Sequence, residues 1–334
     1  MTTVEEARDF LTTDSGPVAV KARGYWEQIW LRLRRDKLAL AGGVFIIVMF
    51  LVAFAGAPIA AKILGHGPND QFFNGVDANT FLPVGPFTHV AIPSGGSTLF
   101  ILGASDTIGR DLFLRMLYGA QTSLEVAVFA TFFSVALGVL AGAIAGYFGG
   151  IIDAIISRLT EMVMAFPVLL FIIAISATAG PSLNAITFGF LANGVFTLVL
   201  IFAAFGWFYP ARIVRGQVLS LREKEFVEAA RMTGASDWRI VRSHLLPHLV
   251  GPVIVYSTLI IAGNIIAEAG LSFLGLGIQE PTASWGNLLA QAPQFYTTQP
   301  WLLIWPGLAI LLATLSFNLL GDGLRDAFDP RRTF

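Results

Sequence analysis

The 334 residues are 55% hydrophobic and 13% charged, with a mean hydropathy of +0.71, whereas a soluble globular domain carries about 25% charge. An ordinary soluble fold is therefore excluded, and the net charge of −1 excludes bulk attraction to nucleic acid. With no cysteine, disulfides and thiolate ligands are excluded too.

In chain order, residues 1–36 read as a cytoplasmic tail, too long and polar before the first apolar run for a cleaved signal peptide. Its last part, 25–35, alternates aromatic, aliphatic and basic residues and predicts an amphipathic helix on the inner leaflet. Six segments then qualify as membrane spans: 38–61, 123–147, 155–177, 195–209, 249–274 and 301–320. Gly, Asn and Pro interrupt the region around the fourth, 186–210.

Between the first two spans, residues 63–110 are rich in Gly and Pro and predict loops rather than a compact domain. They run into LGASDTIGRDLFLRMLYGAQTSL, residues 102–124. The second span carries Gly138, Gly142 and Gly146 on one helical face, where another helix can approach closely. GYFGGIID, 146–153, makes a turn, and Asp153, Arg158 and Glu161 stand at the base of the third span. Arg158 and Glu161 are spaced to pair, as a helix-steadying ion pair or as part of a proton relay.

Residues 228–247, EAARMTGASDWRIVRSHLLP, form a polar island of helix-forming sequence. Residues 223–233 predict a helix that Gly234 ends in a left-handed conformation. Ser236 or Asp237 then caps a second short helix, which Pro247 closes from beyond. Two small residues beside Glu228 suit a tight groove in a partner, while the plain alternative is a solvated helix-turn-helix without one. Beyond it, LSFLGLGIQEPTASWG occupies 271–286 and DAFDPR 326–331.

Charge orients the spans. Of the 21 Lys and Arg, all but Lys62, Arg110 and Arg115 fall on one side of a six-span arrangement. The positive-inside rule places both termini and the 228–247 loop in the cytoplasm. The expected division is a tail at 1–36, first span and external segment at 37–122, a five-span core at 123–325 with a cytoplasmic loop at about 210–248, and a C-terminus at 326–334.

In the fifth span Ser257, Asn264 and Glu268 share a narrow polar face and are candidates to line a pathway, with Glu268 near a hydrated outer mouth. The alternative is that Asn264 bonds a neighbouring helix and Glu268 marks the interface. No GxxxxGK[ST] phosphate loop exists, and none of the four lysines follows a glycine, so no Walker-type nucleotide site is expected. HExxH and GxSxG are absent. His244 and His248 are four apart, yet no third ligand is near, and no metal site or cofactor is expected. A membrane enzyme using Glu161 and Glu268 lacks any accompanying nucleophile–base pair.

The 228–247 segment resembles the EAA loop by which permease subunits of ABC importers touch their ATPase, matching at Glu228, Ala229, Ala230, Gly234, Leu246 and Pro247. His244 stands where many such loops carry Ile. The 102–124 run resembles the signature of dipeptide and oligopeptide importer permeases at Gly109, Arg110, Asp111, Arg115, Tyr118, Gly119, Ala120, Ser123 and Leu124, with departures at Ala104 and Ser105. Residues 271–286 and 326–331 are similar to further elements of that branch, and the combination points to its C-type second permease. The resemblance implies an all-α, six-span type I ABC importer permease in the cytoplasmic membrane of a prokaryote. It implies a homologous second permease, two ATP-binding subunits or domains and an extracytoplasmic substrate-binding protein, besides membrane lipid. Peptides are the implied substrate, with nickel or another small solute as the alternative.

Overall fold

The computed structural model describes residues 24–92, 96–186 and 194–329, and the side chains of these except 179–186. The expected tail before residue 24 and the DAFDPR ending beyond Asp329 lie outside the described residues. Helix α1 (Tyr25–Leu33) packs on the last helix: Arg32 Nη1 donates to Asp329 O at 2.8 Å, and Trp26 meets Phe328 edge-on. Asp36 then caps α2 (Lys37–Leu64), accepting from the amides of Leu38 and Ala39. The cap is needed because the first amides of a helix have no partner within it.

Segment 65–111 departs from the expectation of loops alone. Strands β1 (Thr88–Ala91) and β2 (Ser97–Phe100) pair antiparallel, and Phe72, Val90, Phe100 and Ala104 close a small core beneath them. Gly and Pro mark the turns, but alternating burial along β1 and β2 supplies the core that composition obscured.

Asp111 caps α3 (Leu112–Phe148), which therefore begins well before the expected residue 123, through the signature run itself. α3 ends at Gly149, φ 65°, and turns into α4 (Gly150–Met164). The third expected span, 155–177, falls on α4 and α5 (Val168–Ile186), whose segments Gly150–Met164 and Val168–Thr178 are bent by 82° across Pro167, which disfavours helix before it. The fourth span is also longer than expected. α6 (Val195–Leu221) passes through Pro210, with a break at Trp207 next to the carbonyl that the proline ring would strike.

The polar loop carries α7 (Glu225–Met232), and α8 (Asp237–Phe273) follows. α9 (Trp285–Gln291) is short, and α10 (Trp301–Phe328) completes the chain. Among the described residues five helices are long and apolar enough to cross a membrane, or six when the bent pair counts as one.

α3 is the mast, packing on α4, α6 and α8, while α10 fills the gap between α2 and α8. The glycine row on α3 sets the closest of these contacts. A Cβ at Gly138 would come within 2.6 Å of Pro210 Cβ, and one at Gly146 within 2.9 Å of Arg215 O. At Gly142 it would strike Ala211 O. Gly142→Ala should thus push α6 off α3 and cost about 1–3 kcal/mol. Gly216, with open space around its missing Cβ, is the control. Thermal unfolding in detergent should drop for Gly142→Ala and hold for Gly216→Ala; equal behaviour would refute the seam.

Candidate functional site: a docked loop and an arginine clamp

α7 is held by its far end. Lys224 is extended, so the helix starts two residues later than expected, and Gly234 closes it at φ 80°. Gly234 N–H donates to Arg231 O and Ala235 N–H to Ala230 O, both at 3.0 Å. That pair of bonds satisfies the last carbonyls of α7, and the left-handed residue it requires favours glycine.

The two faces of α7 differ. Val227 and Ala230 are buried in a cluster with Ala143, Tyr147, Val214 and Val218 from α3 and α6. Glu228 and Ala229 are exposed, as are Met232 and Trp238, at 84% and 56%. Tyr147 OH donates to Asp237 Oδ1 at 2.6 Å, and the Arg231 guanidinium lies 5.6 Å from the same ring's centroid. Arg222 Nη1 donates to Gly146 O at 3.1 Å, tying the loop to the end of the glycine row. The island is a firmly seated knob that presents a carboxylate, a small residue and two apolar side chains.

Pro247 does not close a second short helix. The chain runs without interruption into the span through a π turn, Val241–Leu245, with Leu246 half-buried and Pro247 exposed just beyond it. Ser236 takes the cap position without a side-chain bond. The wider π turn accommodates a residue that has no N–H and a bulky ring, so the proline does not end the helix. The same pairing occurs in α2, where the π turn Val52–Gly56 precedes Pro58. His248 Nδ1 contacts His244 O at 2.7 Å and its ring stacks on Phe226, so the two histidines do not converge on a metal. Among the described residues no group of three His, Asp or Glu is placed to hold one. Arg158 and Glu161 pair at 3.2 Å on the surface, while Asp153 instead takes the guanidinium of Arg215 from α6, 2.7 Å at Nη2.

The expected polar stripe on α8 divides into three environments. Ser257 lies on an apolar groove between α3 and α8, a cavity of about 600 Å³ that Thr131, Phe132 and Ile261 also line. Asn264 Nδ2 donates to Thr131 Oγ1 of α3 at 3.0 Å. Glu268 is fully buried, accepting from Ser123 Oγ at 2.8 Å and Ser272 Oγ at 2.7 Å. The expectation of Glu268 at a hydrated mouth is corrected: α3 and the chain after α8 cover it.

The arginine clamp at the Asp111 end of α3 is what the sequence did not reveal. Arg115, fully buried at the start of α3, donates from Nη2 to Glu280 Oε1 at 2.9 Å and from Nη1 to Asn69 Oδ1 at 3.1 Å. Arg110 Nη1 donates to Glu280 Oε2 and its Nε to Asp106 Oδ2, both at 2.6 Å. Gln291 Nε2 donates to Glu280 Oε1 at 2.7 Å. Burial opposes the Arg110 charge, yet Glu280 and Asp106 together raise its pKa. Asn69 lies 46 residues from Arg115 and Glu280 lies 170 residues from Arg110, so no spacing rule connects them. The departures from the signature are absorbed here: Ala104 fills the small core, and Ser105 Oγ donates to Asp106 at 2.8 Å.

Asp111, the cap of α3, also meets His66 Nε2 at 3.0 Å, while His66 Nδ1 faces Leu64 O at 3.1 Å. Burial between Phe72 and Phe100 opposes the imidazolium, but Asp111, the Leu64 carbonyl and Asp70 outweigh it, and the pKa is raised above the ordinary 6.5. A raised folded-state value means the contribution is fully present below about pH 6.5 and is lost as pH rises through the raised value. The stability difference between wild type and His66→Gln should therefore be larger at about pH 5 than at about pH 9. Equal differences in thermal unfolding at the two pH values would refute it.

Residues 138–334 match the binding-protein-dependent transport system inner membrane component, and 24–83 match the N-terminal TM domain of oligopeptide transport permease C. Glutathione transport system permease protein GsiD of Escherichia coli O6:K15:H31 is 38% identical over 311 residues, covering 93% of this chain and 92% of that one. Its counterpart in Shigella flexneri serotype 5b is 39% identical over 311 residues, with the same coverage of 93% and 92%.

Proposed function

On the premise that the chain belongs to the binding-protein-dependent transport system inner membrane components, we propose that it carries small peptides inward, driven through its 228–247 loop by a separate ATPase. It is a multi-pass permease subunit of an ABC importer of the peptide, oligopeptide and nickel branch, a system that includes an ATPase, a further permease and a binding protein. Two observations favour a peptide. The N-terminal match is to an oligopeptide permease, and the relatives covering nearly the whole chain carry a name for glutathione transport, glutathione being itself a short peptide.

The docked loop carries the mechanistic part of the reading. Glu228 and Ala229 point away from the protein while Val227 and Ala230 are locked to α3 and α6. A force applied to the exposed face is therefore passed to the spans rather than absorbed by a slack connection. In the orientation set by the positive-inside pattern, this face and both termini are cytoplasmic, where ATP-binding subunits stand. The missing phosphate loop assigns hydrolysis to those subunits. A homologous second permease would complete the pathway, with the α3–α8 groove holding Ser257 as this chain's wall of it.

The substrate is tested by purifying the assembled importer with its binding protein and identifying the ligand that comes with it. A peptide is expected; a bare metal ion or a sugar would overturn the reading. For coupling, Gly234→Val forces a β-branched residue to positive φ at a cost of about 1–3 kcal/mol, and Glu228→Arg reverses the charge on the exposed face. Both variants should insert normally yet lose ATPase binding and most uptake. Wild-type binding and uptake in both would reduce the loop to a linker. For the pathway, no native cysteine in this chain interferes. A Ser257→Cys variant should react with a membrane-impermeant thiol reagent in a nucleotide-dependent way while Glu268→Cys stays inert; the reverse pattern would remove the groove from the pathway.

A further inference from the structure

Glu268 lies far from the docked loop, buried near the end of α8, and nothing in the transport reading uses it. Each of its carboxylate oxygens accepts from a serine hydroxyl, Oε2 from Ser123 on α3 and Oε1 from Ser272 on α8. Each serine oxygen in turn accepts a backbone N–H from the chain that follows α8. Ile278 N–H donates to Ser272 Oγ at 3.0 Å, and Trp285 N–H donates to Ser123 Oγ at 3.3 Å. These two amides bracket residues 278–285, and Glu280, the centre of the arginine clamp, lies between them.

The bracketed stretch has no slack against α8. A Cβ at Gly286 would come within 2.6 Å of Ala269 O, and one at Gly277 within 2.6 Å of Ser272 N. Within the stretch, Ser284 caps α9 in a reciprocal bond pair with Asn287. Both ends of the stretch are thus referred to one carboxylate, and the residue held between them meets Arg110 and Arg115.

We propose that Glu268 is the positioning residue of the arginine clamp. Through Ser272 and Ser123 it fixes the two ends of 278–285, and so sets Glu280 against the two arginines. Because Glu268 sits on α8, which starts in the docked loop, displacement of that helix reaches the clamp through this carboxylate. Only the link to uptake rests on the importer reading; the positional claim stands on the hydrogen bonds.

The assembled importer, with its partner subunits and binding protein, supplies the test by hydrogen exchange resolved to single amides. Ser272→Ala should speed exchange at Ile278 by about tenfold, and Ser123→Ala should do the same at Trp285. Glu268→Gln keeps one acceptor oxygen, and its amide nitrogen cannot accept from the other hydroxyl. It should therefore speed exchange at the amide behind the serine that the nitrogen faces, while the middle of α8 is unchanged. Glu280→Gln should leave both amides protected. Uptake should fall in Glu268→Gln and in Glu280→Gln, and the double variant should be no worse than the poorer single one. Unchanged exchange in Glu268→Gln would overturn the proposal. So would acceleration spread along α3 and α8, or losses of uptake that multiply in the double variant. Should the wild-type complex take up no peptide, the importer reading fails while the exchange measurements still decide the positional claim.

Discussion

The contact between the glycine row of α3 and the backbone of α6 is the constraint on which the rest of the protein depends. Membrane helices gain little from hiding apolar surface from one another, because lipid is apolar too, so close packing holds them together. At Gly138, Gly142 and Gly146 the α3 backbone meets Trp207, Ala211 and Arg215 with no room for a methyl group. α7 docks where that seam ends, against Tyr147 and Val218, and Arg222 reaches back to the carbonyl of Gly146. Were the seam to open, the floor beneath α7 would move with it.

The two ends of α3 carry different chemistry for the same reason. At one end a tyrosine and glycines receive the polar loop. At the other, Asp111 caps the helix and Arg115 is sunk beneath Glu280. A buried guanidinium is costly unless it is paired and bonded, so Arg115 demands a carboxylate from another element. Glu280 answers that demand from the chain after α8, with Asn69 and Gln291 supplying further bonds. Electrostatics thus closes the Asp111 end, whereas shape closes the Gly149 end.

Features that are local in the sequence were legible in it. Gly234 reads as a helix stop because the conformation that ends α7 is one that β-branched and bulky residues resist, and the glycine row reads as a contact face because its spacing matches a helical turn. The family resemblance also rested on local runs. What escaped the reading depends on separation or on compensation. Glu280 and Arg110 find each other across a distance in sequence that no periodicity spans. Glu268 reads as hydrated by its place near a span end, yet Ser123 and the chain after α8 cover it. Pro247 and Pro210 carry the ordinary signal for helix termination, but a π turn in one case and a local break in the other let the helix proceed. Pro167, without such relief, bends the α4–α5 pair sharply.

The π turn ahead of Pro247 has a consequence for angular phase. A π turn holds one residue more than an α turn, and each residue of an α-helix advances the side chains by about 100°. Side chains before Val241 and after Leu245 therefore belong to two different helical wheels, although one unbroken helix carries both. The face by which Ile240 enters the docked cluster and the face by which Asn264 reaches Thr131 are set independently in register. α8 is then a shaft with an offset keyed into it, and the offset, rather than the length of the helix, determines which side of the far end faces α3.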